Sequence, residues 1–187
     1  MKIDRVSLRK VRGSFEWEGT FWESRLARPI DIYPEDRNAM PFWGGTQQED
    51  GRFTLSNVFL EIGTNEGLVG IFGPTSEAVA NIIATQLREV LLGKDPLATE
   101  LIWDQMHRLL VHGRQGEAMW AVSVVDCALW DLKGLFFGTP VYRLIGGPTR
   151  QEVPAYASML GYDVEDQGLV RQRAKETQEE GYRAQKW

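Results

Sequence analysis

DCALWDLKGLFFGTPVYRLIGG, residues Asp126 to Gly147, carries the end of an amphipathic helix into a tight exit and then toward an extended segment. Leu129, Leu132 and Phe136 keep helical spacing, and Gly138, Thr139 and Pro140 break it. Gly146, Gly147 and Pro148 mark a domain boundary near residue 148. Beyond it the chain changes in kind. Val153 to Ser158 reads as a strand, Asp166 to Glu180 as a polar helix, and Tyr182 to Trp187 as a second strand, a β-α-β crossover suited to parallel strands. The expectation is a complete small domain over residues 1–148, followed over 149–187 by the opening unit of a larger one.

Working back from this stretch, Glu117 to Phe137 makes one helix with Val122, Val125, Leu129, Leu132 and Phe136 inward. Asp95 and Pro96, an N-cap residue before proline, start the helix ahead of it, with Leu97, Leu101, Met106, Leu109 and Leu110 buried. Pro74 and Thr75 open another, whose Val79, Ile82, Ile83, Leu87, Val90 and Leu91 keep helical spacing until Gly93. Thr54 to Gly63 alternates with Val58, Leu60 and Ile62 on one face, and Thr64 to Gly67 turns the chain into Leu68 to Phe72. Met1 to Arg12 adds a basic edge strand ended by Gly13. The pattern predicts an α+β domain, a three-stranded antiparallel meander plus a helical bundle. Ser14 to Arg52 has no sustained period, yet carries Phe15, Trp17, Phe21, Trp22, Tyr33, Phe42 and Trp43; a loop this long and aromatic suits a lid or binding loop better than disorder.

Composition narrows the function. The net charge of −5, with no basic stripe, argues against nucleic acid. No apolar run reaches the roughly 20 residues that span a bilayer, and the single cysteine, Cys127, has no partner in the chain, so a cytoplasmic protein with no membrane role is expected. Burial is the expected state of that thiol. Of the seven tryptophans, Trp103, Trp120 and Trp130 fall in helical patterns and read as core.

Little in the residues alone speaks of chemistry. His107 and His112 are five apart and lack Cys or carboxylate neighbours at zinc-site spacing, and no phosphate-cradling loop or nucleophile elbow is present. Lys186 stands out. Residues 182, 184 and 186 share one face of the last strand, and in a closing barrel Lys186 lies near the strand's C-terminal end, where barrel enzymes do their chemistry. A lysine buried there serves as a base, because desolvation disfavours the charged form. A solvated lysine at the end of an ordinary strand is the alternative.

Taken together, the meander, the aromatic loop, the D-C-A-L-W-D-L-K-G helix, the G-T-P-V-Y-R-L-I-G-G exit and the final G-Y-R-A-Q-K-W resemble the mandelate racemase and muconate-lactonizing branch of the enolase superfamily, over essentially the whole chain. The resemblance implies an α+β capping domain followed by the start of a TIM-type (β/α) barrel, with residues 14–52 as the lid. It implies Mg2+ held by acidic residues beyond residue 187, a small carboxylate or sugar-acid substrate, and a homo-oligomer. Lys186 aligns with the first lysine of a Lys-x-Lys pair whose second member, usually the base, falls at position 188. Trp22, Arg25, Arg28 and Trp43 are the lid candidates for touching substrate, the arginines by pairing with its carboxylate and the tryptophans by closing the pocket against water; a surface ion pair for each arginine and a small lid core for each tryptophan are the alternative. The long lid and the A-Q-K-W strand end look most like acid-sugar dehydratases; a racemase, epimerase or cycloisomerase of the same branch, or a non-catalytic assembly module, are the competing readings. On this resemblance residues 1–187 are the N-terminal portion of a longer enzyme and are expected to be inactive alone.

Overall fold

A computed structural model of the chain describes residues 1–16, 29–36, 46–47, 51–159 and 166–187. They form two compact units: Met1–Arg12 with Ser56–Thr149, and Gly13–Leu55 with Arg150–Trp187. The first unit is the α+β layer. Its strands belong to β1 (Ile3–Glu16), β3 (Arg52–Thr64) and β4 (Val69–Thr75), with β3 between β1 and β4; β2 (Thr46–Gln47) belongs to the second unit. β3 and β4 are antiparallel, with Leu60 opposite Phe72 and Ile62 opposite Gly70.

The alternation in β3 works as read: Val58, Leu60 and Ile62 are all buried. Thr64 closes the hairpin with both of its polar groups. Its N–H and its hydroxyl donate to the Leu68 carbonyl, and its Oγ1 accepts from the Leu68 N–H, at 3.0 to 3.1 Å. β1 does not stop at Gly13, because its backbone continues extended to Glu16. Its charges are neutralised locally: Arg9 reaches Glu61 at 2.8 Å and Lys10 pairs with Glu77. Exposed pairs of this kind contribute at most about 1 kcal/mol, whereas burying a Leu or Ile contributes about 1.5 to 3. The core therefore decides the fold.

That core is built by helices laid on the sheet. The first helical stretch begins after Ser76 rather than at Pro74, because β4 runs to Thr75 and the Ser76 Oγ accepts from the Val79 N–H at 3.2 Å. It runs as α1 (Glu77–Ile82), a π-helical turn at Ile83–Leu87 and α2 (Arg88–Leu91), burying Val79, Ile83, Leu87 and Leu91. Asp95 caps a turn instead of a helix. Its Oδ1 accepts from the Leu97 N–H at 3.0 Å, and α3 starts only at Thr99, running to Leu109. The buried face of α3 is Ile102, Met106 and Leu110; Leu101 and Leu109, expected inward, are exposed.

α4 (Glu117–Phe137) is the longest helix and the centre of this unit, packed on β4, α1 and α3. Ala121, Val122, Val125, Ala128, Leu129 and Leu132 are buried along it. Phe136, expected inward, is 44% exposed, and Trp120, expected in the core, is 54% exposed. Trp103 is also exposed, stacked on His107 at 4.9 Å, and Trp130 is half-buried beneath the Lys133 ammonium, 4.7 Å from the ring. Indole rings of this size need only one covered face to sit at a helix margin, so helical spacing did not force them inward.

Gly138 ends α4 in the left-handed region at φ 59°, and the Gly138 and Thr139 N–H groups donate to the Leu135 and Gly134 carbonyls at 3.2 and 3.0 Å. This is the paired closure that favours glycine after a helix. Val141–Leu144 then makes one further helical turn, α5, within the tight exit. Pro140 favours the turn, since its fixed φ suits the residue before it and its carbonyl accepts from the Arg143 N–H at 3.0 Å.

Asp126, at the head of the decisive stretch, is partly buried on α4. Burial first, and then the negative charge of Glu100, raise its carboxyl above the ordinary aspartate range, while Lys133 works the other way. A carboxylate whose folded value lies above its unfolded value weakens the fold once it ionises, so its penalty appears as pH rises through the raised value. Asp126→Asn is expected to raise the thermal midpoint at pH 7 and to leave it unchanged at pH 3, which paired melts would read directly.

Candidate functional site

The second unit holds β5 (Ala157–Ser158), α6 (Gln167–Glu179) and β6 (Gln185–Lys186). Asp166 starts the helix: its Oδ1 accepts from the Gly168 and Leu169 N–H groups at 2.7 and 3.3 Å, satisfying donors that a helix start leaves open. Along α6, Arg173 and Lys175 pair with Glu176 and Glu179. Thr177 is buried, donating to the Arg173 carbonyl at 2.8 Å and lying 3.6 Å from the Met159 sulfur. Met159 and Thr177 thus bring α6 against the strand pair.

β5 and β6 run parallel, Ala157 opposite Gln185 and Ser158 opposite Lys186. The Ala157 N–H donates to the Ala184 carbonyl at 3.0 Å and the Met159 N–H to the Lys186 carbonyl at 2.9 Å. The ladder is two residues long on each strand, shorter than the six-residue runs expected from the sequence. Residue alternation divides the pair into two faces. Ala157, Met159 and Gln185 face α6, where the Gln185 amide donates to the Ala174 carbonyl at 2.8 Å. Ser158 and Lys186 fall on the opposite face, and both are exposed.

Lys186 is therefore at the C-terminal end of a parallel strand, as the sequence predicted, but its side chain is exposed rather than buried. The ladder, not apolar cover, holds it in place. Trp22, Arg25, Arg28 and Trp43 lie outside the described residues. Gln185 escaped the sequence reading. The available signal was a polar residue on the helix-facing side of a strand, where an aliphatic one is usual.

Depressions among the described residues include two that Lys186 does not line. One in the second unit is lined by Glu152, Ala155, Glu180, Tyr182 and Arg183, residues that precede the two strands, so it is at the other end of the ladder from Lys186. The other, in the first unit, is an apolar groove along Ile71, Phe72, Cys127, Trp130, Val141 and Ile145. Cys127 is half-buried there rather than fully enclosed, and burial followed by the Asp126 charge pushes its thiol up, toward the protonated form. Among the described residues no cluster of three or more His, Cys, Asp or Glu side chains offers a metal site, and no helix is long and apolar enough to cross a membrane.

The model of the mandelate racemase/muconate lactonizing enzyme N-terminal domain matches residues 47–146. A provisionally named L-rhamnonate dehydratase of Caldivirga maquilingensis is 40% identical over 136 residues, 71% of this chain and 32% of that protein. An L-rhamnonate dehydratase of Saccharopolyspora erythraea is 34% identical over 171 residues, 88% of this chain and 42% of that one. The chain thus spans less than half the length of either relative. Among solved structures, a racemase from Streptomyces coelicolor with bound magnesium matches 98% of this chain and 45% of its own, with a TM-score of 0.68 and 28% identity.

Proposed function

This chain belongs to the mandelate racemase/muconate lactonizing enzyme family, and from that membership we propose that it is the N-terminal portion of a magnesium-dependent acid-sugar dehydratase. Residues 1–148 act as the cap and 149–187 as the first unit of a barrel, with the lid residues Trp22, Arg25, Arg28 and Trp43 closing over the substrate. The observation that carries the reading is the register of β6 on β5, which gives Lys186 the C-terminal end of a parallel strand and the face opposite its helix. Support for the substrate class comes from the relatives named as L-rhamnonate dehydratases.

The reaction removes the proton at C2, α to the carboxylate, and then the C3 hydroxyl as water, leaving an enol that becomes the 2-keto-3-deoxy acid. Lys186 and a second basic side chain at position 188 form the working pair. One of the two takes the C2 proton while the other stands beside the substrate carboxylate. Magnesium is supported by the solved racemase that holds it; among the described residues no cluster offers it a site, and its ligands are expected beyond residue 187. The same reading makes the whole protein a cytoplasmic homo-oligomer acting on small carboxylates.

The test is to express the uninterrupted reading frame and offer it a panel of aldonic acids, L-rhamnonate and D-galactonate among them, while following 2-keto product. Keto acid formation is the expected outcome. Isotope exchange at C2 without keto acid would move the protein to the racemases and epimerases of its branch, and inertness across the panel would favour a non-catalytic assembly module.

A further inference from the structure

Gln185 is in an unusual position for its chemistry. It precedes Lys186 on β6, faces α6, and both ends of its amide are engaged: Nε2 donates to the Ala174 carbonyl of α6 at 2.8 Å, and Oε1 accepts from the Trp187 indole N–H at 3.1 Å. The two bonds assign the amide without ambiguity, since only its nitrogen donates and only its oxygen accepts. A helical carbonyl has a second lone pair, so the bond to Ala174 requires no break in the helix. An aliphatic residue here would pack against α6 more cheaply, because a half-buried amide is tolerated only when its hydrogen bonds are made.

What the amide adds is direction. An aliphatic side chain lets a two-residue ladder twist about its axis, and any such rotation swings the next side chain through the same angle. Gln185 ties β6 to α6 at one point, and Trp187 is tied to Gln185 at the next residue of the same face, so Lys186 is flanked on both sides by anchored neighbours. We propose that Gln185 and Trp187 form a clamp that aims the Lys186 amine, making both of them positioning residues for the reaction. The inference rests on the dehydratase reading for its kinetic consequence, though not for the clamp itself.

The test uses the full-length protein with Gln185→Met, which keeps the length and loses both bonds, and Trp187→Phe, which loses only the indole donor. Expected are a kcat about tenfold lower for Gln185→Met and a smaller fall for Trp187→Phe, with KM within about twofold and the thermal midpoint unchanged, the pattern of an interaction felt in the transition state. The indole N–H of Trp187 should also exchange with solvent faster in Gln185→Met. An unaltered kcat alongside faster indole exchange would show bonds that only hold the strand, and would overturn the proposal. If the parent protein turns over no acid sugar, the dehydratase reading fails separately; the clamp is then decided by competitive labelling of the Lys186 amine, whose rate should change at least about threefold in Gln185→Met, as expected when a group loses its fixed setting. An unchanged rate overturns it.

Discussion

In the full-length protein, and on the proposed dehydratase reading, Lys186→Met is expected to lower kcat/KM by about a hundred- to ten-thousand-fold, the span that separates a positioned proton-transfer group from none. Methionine keeps most of the stem and removes only the amine. The place of Lys186 is held by the Ser158 to Lys186 register and by the bond from the Met159 N–H to its carbonyl, backbone contacts that methionine keeps, so the strand pair has no reason to notice the change. Melting should shift by no more than an ordinary surface substitution, about 0.5 kcal/mol. The pairing of those two results is the informative part: activity lost with stability kept assigns the amine to chemistry. A variant within threefold of its parent would remove Lys186 from the mechanism and leave the β5, α6, β6 unit as scaffold.

The second large effect lies in the first unit, where α4 presses on β4. A Cβ on Gly70 would fall 2.2 Å from the Ala128 carbonyl oxygen, 2.7 Å from the Leu132 Cβ and 2.9 Å from the Leu132 N. Those atoms are mostly helix backbone, so no flexible side chain can step aside. Gly70→Ala should therefore push the helix off the strand and cost about 3 kcal/mol or more, the upper end of overpacking penalties. For a chain of this size that corresponds to a midpoint lower by about 6 to 12 °C. The hydrogen bond from the Ile71 N–H to the Asp131 carboxylate, 2.8 Å at the same contact, would be strained as well. Gly13→Ala is the control, because nothing lies within 4 Å of the Cβ it would add. Equal midpoints for the two variants would mean that α4 and β4 do not approach this closely.

Periodicity carried further in some elements than in others. Val58, Leu60 and Ile62 alternate without exception, and a strand has only two faces, so their common burial follows once one of them is inside. The bounds of α4 were legible because apolar residues run along it and Gly138 supplies the left-handed turn that closes it, although Phe136 and Trp120 lie exposed on it. α3 was not. Leu101 and Ile102 sit about 100° apart on a helix, and both are apolar, so spacing alone admits two stripes; contact with α4 selected Ile102, Met106 and Leu110 and left Leu101 and Leu109 outside. Asp95 before Pro96 carries the signature of a helix start, but the same carboxylate satisfies a turn equally well, and the turn is what formed.

For the site the division is similar. Residue order alone determined that a polar helix joins two short extended runs, that such a crossover makes them parallel, and that Lys186 ends the second; chirality and chain connectivity leave few other arrangements. The α+β cap was likewise legible, since it rests on local spacing, and the family through the resemblance of motifs contiguous in the chain. Only the tertiary structure decided which face of β6 meets α6, that Gln185 reaches the Ala174 carbonyl eleven residues earlier, and that Lys186 shares its face with Ser158. Those facts depend on the register between segments separated by a whole helix, and register is set by packing and hydrogen bonds that no local pattern contains.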